Sequence, residues 1–212
     1  MDTQSILSSP AFHDTQHLQR FLKGLGHYAG ALDGLLGPKT RAAAVRFESV
    51  STGIANAFGS FDARSEREIF TLHPDAQRLC RGLLTALRAN GLDARVLCGM
   101  RSYAQQNALY SQGRTKAGAV VTRATGGNSF HNFGVAFDIG LFSSGKYLQN
   151  ADPYLDAARI GKHCGLECGA FWQSFSDPPH YQLLSLPPLS LIRKRFEAGF
   201  PLFQSSTQGD KT

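Results

Sequence analysis

The sequence predicts an α+β protein: a small all-α N-terminal unit, then an α+β domain with a small, mainly antiparallel sheet. Three observations carry that expectation. Residues 11–49 show apolar positions at helical spacing and no strand pattern. From residue 72 onward, helical stretches alternate with short β-leaning runs, without the βαβ rhythm of a parallel sheet. Of the 212 residues, 42% are hydrophobic and 18% charged, enough to build a core and too apolar for wholesale disorder. The expected division is a helical unit over 1–55, a linker over 56–70, the larger domain over 71–190, and a C-terminal helix or tail over 191–212.

The first helix rests on Leu18, Phe21, Leu22 and Leu25, which recur on one face. Gly26 ends it, as glycine does just past a helix C-terminus. A Gly-rich turn region, GHYAGALDGLLG, follows. Pro38 then opens a second helix in its first turn. Residues 50–68 lose the periodicity and read as a loosely packed connector. His73-Pro74-Asp75 starts the next helix, with proline and an acid in the first turn. Leu79, Leu83, Leu84 and Leu87 continue it, and Asn90-Gly91 stops it. Ala94–Cys98 leans to strand. Ser102 caps a helix that runs to Gln112. A polar loop reaches about Ser129. Strands are expected over Gly134–Gly140 and His180–Leu184, with a helix over Tyr154–Cys164 between them.

Composition narrows the function classes. The formal charge is +6, which draws a chain to polyanions: nucleic acid, anionic lipid or the bacterial envelope. Lysines and arginines are scattered rather than clustered, which argues against a nucleic-acid arm. No apolar run approaches the roughly 18 residues a transmembrane helix needs, so no membrane insertion is expected. The opening MDTQSILSSPAFHD has no basic, apolar signal pattern, so the expected location is the cytoplasm of the producing cell. Cys80, Cys98, Cys164 and Cys168 lack zinc-knuckle spacing and read as free thiols. A monomer is expected.

Two segments carry chemistry: SFHNFGVAFD (129–138) and DPPHY (177–181). Strand alternation turns Val135, Phe137 and Ile139 to one face and Asp138, with the small Ala136, to the other. Gly134 lets the chain turn between His131 and the strand. Pro178 and Pro179 stiffen the approach to His180, and Tyr181 and Leu183 face away from His180 and Gln182. Two imidazoles and one carboxylate suit a catalytic zinc ion with a fourth position open to water. Asp177, three residues before His180, is placed to act as general base and then acid. His13 and His17 read as an incidental pair. Trp172 and Phe175 read as core.

The segment SFHNFGVAFD resembles the S-x-H-x-x-G-x-A-x-D signature of the M15-type peptidases that include the VanY-like D-alanyl-D-alanine carboxypeptidases, and DPPHY supplies its second half. The longer run GMRSYAQQNALYSQGRTKAGAVVTRATGGNSFHNFGVAFDIG (99–140) is similar to the L-alanyl-D-glutamate endopeptidase branch, seen in phage endolysins and some bacterial wall hydrolases. GLECGAFWQSF (165–175) resembles a further stretch of that branch, with Cys168 in place of its tryptophan and Ala170 in place of its glycine. The resemblance covers roughly residues 72–184. It implies one zinc ion on His131, Asp138 and His180, and Asp177 as the catalytic acid where many relatives have glutamate. It also implies Arg101 for the oxyanion or a substrate carboxylate, and Ser129 for substrate contact. The stretch HLQRFLKGLGHYAGALDGLLGPKTRAAAVRFE (17–48) resembles a peptidoglycan-binding helical domain.

The expectation is therefore a peptidoglycan hydrolase that cuts the L-Ala–D-Glu bond of the stem peptide. In an endolysin-like role it would act on the wall after release from the producing, phage-infected cell. Two alternatives stand: a D-alanyl-D-alanine carboxypeptidase on the same scaffold, and a non-catalytic wall-binding protein.

Overall fold

A computed structural model describes residues 5–203. The chain folds as seven α-helices around one five-stranded sheet, together with four short 3-10 turns, among the described residues. Helices α1 (Thr15–Gly24), α2 (Pro38–Phe58), α3 (Ala63–Ile69) and α4 (Pro74–Ala89) precede β1 (Asp93–Cys98) and α5 (Tyr103–Ser111). Then come β2 (Ala136–Ser143), β3 (Lys146–Tyr147), α6 (Ala151–His163), β4 (Leu166–Cys168), β5 (His180–Leu183) and α7 (Leu189–Ala198). The strand order is β1-β2-β5-β4, with β3 hairpinned onto β2, and every pairing is antiparallel. The α+β expectation holds.

Local chemistry sets the boundaries. Asp14 caps α1 by accepting from the His17 amide, and Leu25 closes it before Gly26 turns at φ 76°. Pro38 opens α2, and the His73 ring caps α4 by accepting from the Asp75 amide. Ser102 and Gln105 form a reciprocal capping box on α5. The strand expected over Gly134–Gly140 starts later and runs further, because a 3-10 turn at Phe130–Phe133 occupies the approach and β1 pairs as far as Phe142. The helix expected from Tyr154 begins at Ala151. Strands β3 and β4, two and three residues long, are too short to leave a periodic signal.

Residues 50–68, expected as a loose connector, are helical except for a break at residues 59–62. Helix α2 continues to Phe58, burying Ser51 and Ile54. Helix α3 is capped by Asp62, whose carboxylate accepts from the Arg64 and Ser65 amides. Its side chains tie it down: Ser65 Oγ accepts from the Val96 amide at 2.9 Å, and Glu68 accepts from the Gly99 amide at 2.9 Å. Glu66 holds the fully buried Arg81 in a two-pronged pair at 2.7 and 2.8 Å. The segment buries serine and charge rather than leucine, so its periodicity is faint. Residues 204–212, part of the expected C-terminal tail, lie outside the described residues; α7 supplies the expected helix.

One continuous apolar core joins the N-terminal helices to the sheet. Phe12 packs on Phe21 at 5.3 Å, Phe21 on Phe47 at 5.2 Å, and Phe47 on Phe70 at 6.3 Å between ring centroids. Each such buried ring contributes about 1.5–3 kcal/mol by leaving water. On the far side of α1, His17 packs between Tyr103 of α5 and Phe196 of α7. Burial lowers its pKa to about 4, so this ring is neutral where it packs between the two aromatics. No described helix is long and apolar enough to cross a membrane. All four cysteines are free thiols; Cys80 and Cys168 are buried, and Cys98 and Cys164 are partly so.

Candidate metal centre

The sheet brings the sequence-distant residues together by register. Asp138 of β2 pairs directly with His180 of β5 and, across its other edge, with Cys98 of β1. Side chains of directly paired residues share a face. His131 arrives from the 3-10 turn just before β2. That turn closes on Gly134, which adopts φ 68° with its backbone packed between Met100 and His73. A side chain there would meet the left-handed backbone penalty and two neighbours at about 3 Å.

Three acceptor atoms meet at one point. His131 Nε2 lies 3.1 Å from Asp138 Oδ1 and 3.2 Å from His180 Nδ1, and His180 Nδ1 lies 3.2 Å from the same carboxylate oxygen. The opposite ring nitrogens decide what these atoms carry. His131 Nδ1 donates to the Gly99 carbonyl at 2.8 Å, and His180 Nε2 donates to Gln182 Oε1 at 3.0 Å. In their neutral forms both rings therefore turn a lone pair toward Asp138, as a bound cation requires. Ligands about 2.0–2.1 Å from a tetrahedral zinc ion sit about 3.3 Å from one another. The observed triangle fits that spacing, and the donor set of two imidazoles and one carboxylate fits that ion.

Without an ion, these rings supply Asp138 with protons instead. Burial alone would raise the Asp138 pKa, yet the charges and hydrogen bonds of His131 and His180 hold it well below the carboxylate range. Burial depresses His131, with Arg101 adding to the effect. Burial also works against a charged His180, but the hydrogen bond and charge of Asp138 outweigh it and raise its pKa. A positive charge is favoured where these groups converge. Cys98, His131 and Asp138 form a second conceivable donor set, within 4.8 Å of one another. It is the poorer one. Cys98 Sγ lies 4.0 Å from His131 Nδ1, the nitrogen engaged by Gly99, and burial pushes the thiol up to about 12.

The centre opens on a cleft of about 680 Å³ that holds every sequence-derived site residue in its lining: Arg101, Ser129, His131, Asp138, Asp177 and His180. The Asp177 side chain has no hydrogen-bond partner among the described residues. Its backbone is fixed: its amide donates to the Gly169 carbonyl at 2.9 Å, and its carbonyl accepts from the His180 amide at 3.0 Å. Gly169 allows this, since a Cβ there would lie 2.5 Å from the Asp177 carbonyl oxygen. Burial, then the negative charge of Asp138, raises the Asp177 pKa. Arg101 donates to Asp138 Oδ2 at 3.2 Å and to Gln106 Oε1 at 3.0 Å, bracing the oxygen turned away from the histidines.

Several cleft residues escaped the sequence reading. Strand alternation puts Gln182 on the same face as His180, but nothing in the sequence marks it as an acceptor for that ring. Gln106 and the Gly99 carbonyl carry no motif of their own. Trp172 and Phe175 were expected in the core; they line the cleft instead, Trp172 packing on His180 at 4.9 Å and Phe175 standing 49% exposed. The Trp172 indole donates to Glu167 at 2.9 Å, which fixes the ring.

Acceptors converging on one point draw a cation, and a desolvated carboxylate without a partner stands beside them in an open cleft. Fold and site together define a metal-dependent hydrolase. Comparison with known proteins narrows this. A family model described as VanY, D-alanyl-D-alanine carboxypeptidase, matches residues 70–162. The chain is 36% identical over 123 residues to the peptidoglycan L-alanyl-D-glutamate endopeptidase CwlK of Bacillus subtilis, covering 53% of this chain and 74% of that protein. The chain belongs to the VanY peptidase family. Among solved structures, the L-Ala D-Glu endopeptidase ChiX of Serratia marcescens matches at 29% identity and a TM-score of 0.45, over 58% of this chain and 88% of that one. A variant of the vancomycin-resistance D,D-pentapeptidase VanY in complex with Zn(II) matches at 18% identity and a TM-score of 0.43, over 62% and 81%.

Proposed function

We propose that this protein is a zinc peptidase of bacterial peptidoglycan that hydrolyses the L-Ala–D-Glu bond of the stem peptide. The single observation that carries the metal is the tautomer lock. Gly99 and Gln182 take the outer ring protons, so in the neutral rings His131 Nε2 and His180 Nδ1 turn lone pairs to the point where Asp138 Oδ1 stands. The choice of bond is supported by the identity to an L-alanyl-D-glutamate endopeptidase.

In this reading His131, Asp138 and His180 hold the ion. Bound there, zinc supplies Lewis acidity toward water and the scissile carbonyl. Asp177 accepts the proton of the attacking water and passes it to the leaving amine. Its raised pKa improves the match to both transfers, because the carboxylate is a stronger base than a solvated aspartate and its acid form persists to higher pH. Arg101 holds Asp138 in place, and its buried, unpaired Nε–H adds positive charge beside the reacting carbonyl. Ser129, at the cleft wall, contacts the substrate chain. The N-terminal helices serve as the wall-binding part of the protein. In an endolysin-like role the protein meets its substrate only after release from the cell that makes it.

A turbidity assay tests the metal. Purified peptidoglycan should clear with the zinc-loaded protein, stop clearing after chelation and resume on addition of zinc. Clearing that persists after complete removal of metal would overturn the reading. A D-alanyl-D-alanine carboxypeptidase on the same scaffold is the second reading, favoured by the description of the matching family model. It would release D-alanine without exposing new amino termini.

A further inference from the structure

The cleft contains a second guanidinium that the mechanism does not use. Arg123 lines it, together with Asp177, Trp172 and Phe175. Arg101 is committed to Asp138 and Gln106. Arg123 has no such commitment: among the described residues, no carboxylate pairs with it and no carbonyl accepts from it. Its guanidinium lies over the Phe175 ring, 5.3 Å from the centroid. An aromatic face steadies a cation without neutralising it, which leaves the N–H groups free for an anion.

The backbone beneath Arg123 is held on both sides. Gln106 Nε2 donates to Thr122 Oγ1 at 3.3 Å and to the Ala124 carbonyl at 2.9 Å, while the Ala124 amide donates back to Thr122 Oγ1 at 3.2 Å. The same Gln106 accepts from Arg101 through its Oε1. One amide side chain therefore fixes the position of Arg123 relative to the metal centre. The aromatic backing stands on the same wall as Trp172. Phe175 follows Trp172 by three residues, and Trp172 is anchored by His180 and Glu167. A charged side chain with a fixed base, an aromatic backing and no acid of its own is a site for an acid from outside.

We infer that Arg123 is a specificity-determining residue that binds the free carboxylate of a substrate residue adjoining the scissile bond. The inference rests on the proposed L-Ala–D-Glu cleavage. In that bond the D-Glu residue continues the chain through its side-chain carboxyl, so its α-carboxylate stays free on the carbon that bears the scissile nitrogen. When that group is amidated the negative charge is lost, and Arg123 has nothing to pair with.

The test uses the zinc-loaded full chain and two synthetic stem peptides that differ only in this group, free carboxylate against carboxamide. Wild type should prefer the acid in kcat/KM by about five- to tenfold, the scale of a partly solvated charge-assisted hydrogen bond. In Arg123→Gln the preference should fall to about one, with the change carried by KM, and Arg123→Lys should restore part of it. The preference is a ratio within each protein, so a smaller folded fraction cancels. If Arg123→Gln keeps the wild-type preference, the inference fails while the proposed cleavage stands. If wild type cleaves neither peptide between L-Ala and D-Glu, the proposed cleavage fails and the inference with it.

Discussion

Two polar clusters, one in each half of the molecule, are built from buried side chains, and they differ in one respect. In the N-terminal helices, Gln19 is fully buried and closed on itself. Its Nε2 donates to Asp33 Oδ1 at 2.7 Å, with Tyr28 Oη, the Leu35 carbonyl and Thr40 Oγ1 at 3.1–3.3 Å, and its Oε1 accepts from the Gly34 amide at 2.9 Å. Donors meet acceptors throughout. In the metal centre, the outer atoms of His131 and His180 are equally well matched, but their inner atoms face one another with a lone pair on each neutral ring. The first arrangement stabilises a loop; the second, in the proposed function, would hold an ion. The residues that give the N-terminal stretch its wall-binding resemblance, Gln19, Tyr28, Asp33, Gly34 and Thr40, are thus those that shape its loop. A wall contact would fall on the surface they support.

Substitutions should separate the two clusters. His131→Ala, which removes a ligand, should abolish zinc binding and cut wall lysis by more than about a thousandfold, read from metal stoichiometry and turbidity together. Lysis near the wild-type rate would remove His131 from the centre. Asp177→Ala should keep stoichiometric zinc and lose about a hundred- to thousandfold in rate, as loss of a general base does. Persisting lysis would mean that the proton goes elsewhere. Gln182→Leu frees the His180 tautomer and should weaken zinc affinity by about 10–100-fold in a competition titration, with the fold intact. In the closed cluster, Gln19→Leu should behave differently. It leaves the Gly34 amide and its partners unmatched and should cost about 1–3 kcal/mol in denaturant unfolding, with zinc stoichiometry unchanged.

The pH profile gives the smallest and most specific contrast. In its proposed role Asp177 would act as a base only when deprotonated, and its folded-state pKa lies above the ordinary 3.8. Activity is therefore complete above the raised pKa and falls as pH drops through it. The acid limb of kcat/KM should lie above 3.8. A limb at or below that value would place the base in solvent.

The site was legible where chemistry needs particular side chains. His131, Asp138 and His180 stand in two short motifs, and strand alternation turns Asp138 off the core. Gly134 and the Ser102 cap were likewise readable, because backbone conformation and capping restrict residue choice at those points. The supports were not. The acceptor for His131 is a main-chain carbonyl, which any residue at 99 offers. Gln182 and Gln106 gain their roles only when strands and loops close around them. Trp172 and Phe175 look like core because an aromatic on a cleft wall has the same composition as one beneath it. The helices over 50–69 were missed because they bury Ser51, Ser65 and the Glu66–Arg81 pair, which break the apolar pattern.

Mass spectrometry of digested peptidoglycan tests the central claim most directly. Wall treated with the zinc-loaded protein should yield peptides with new free amino termini on D-Glu and glycan strands that retain L-Ala. Release of terminal D-alanine, with every L-Ala–D-Glu bond intact, would contradict it.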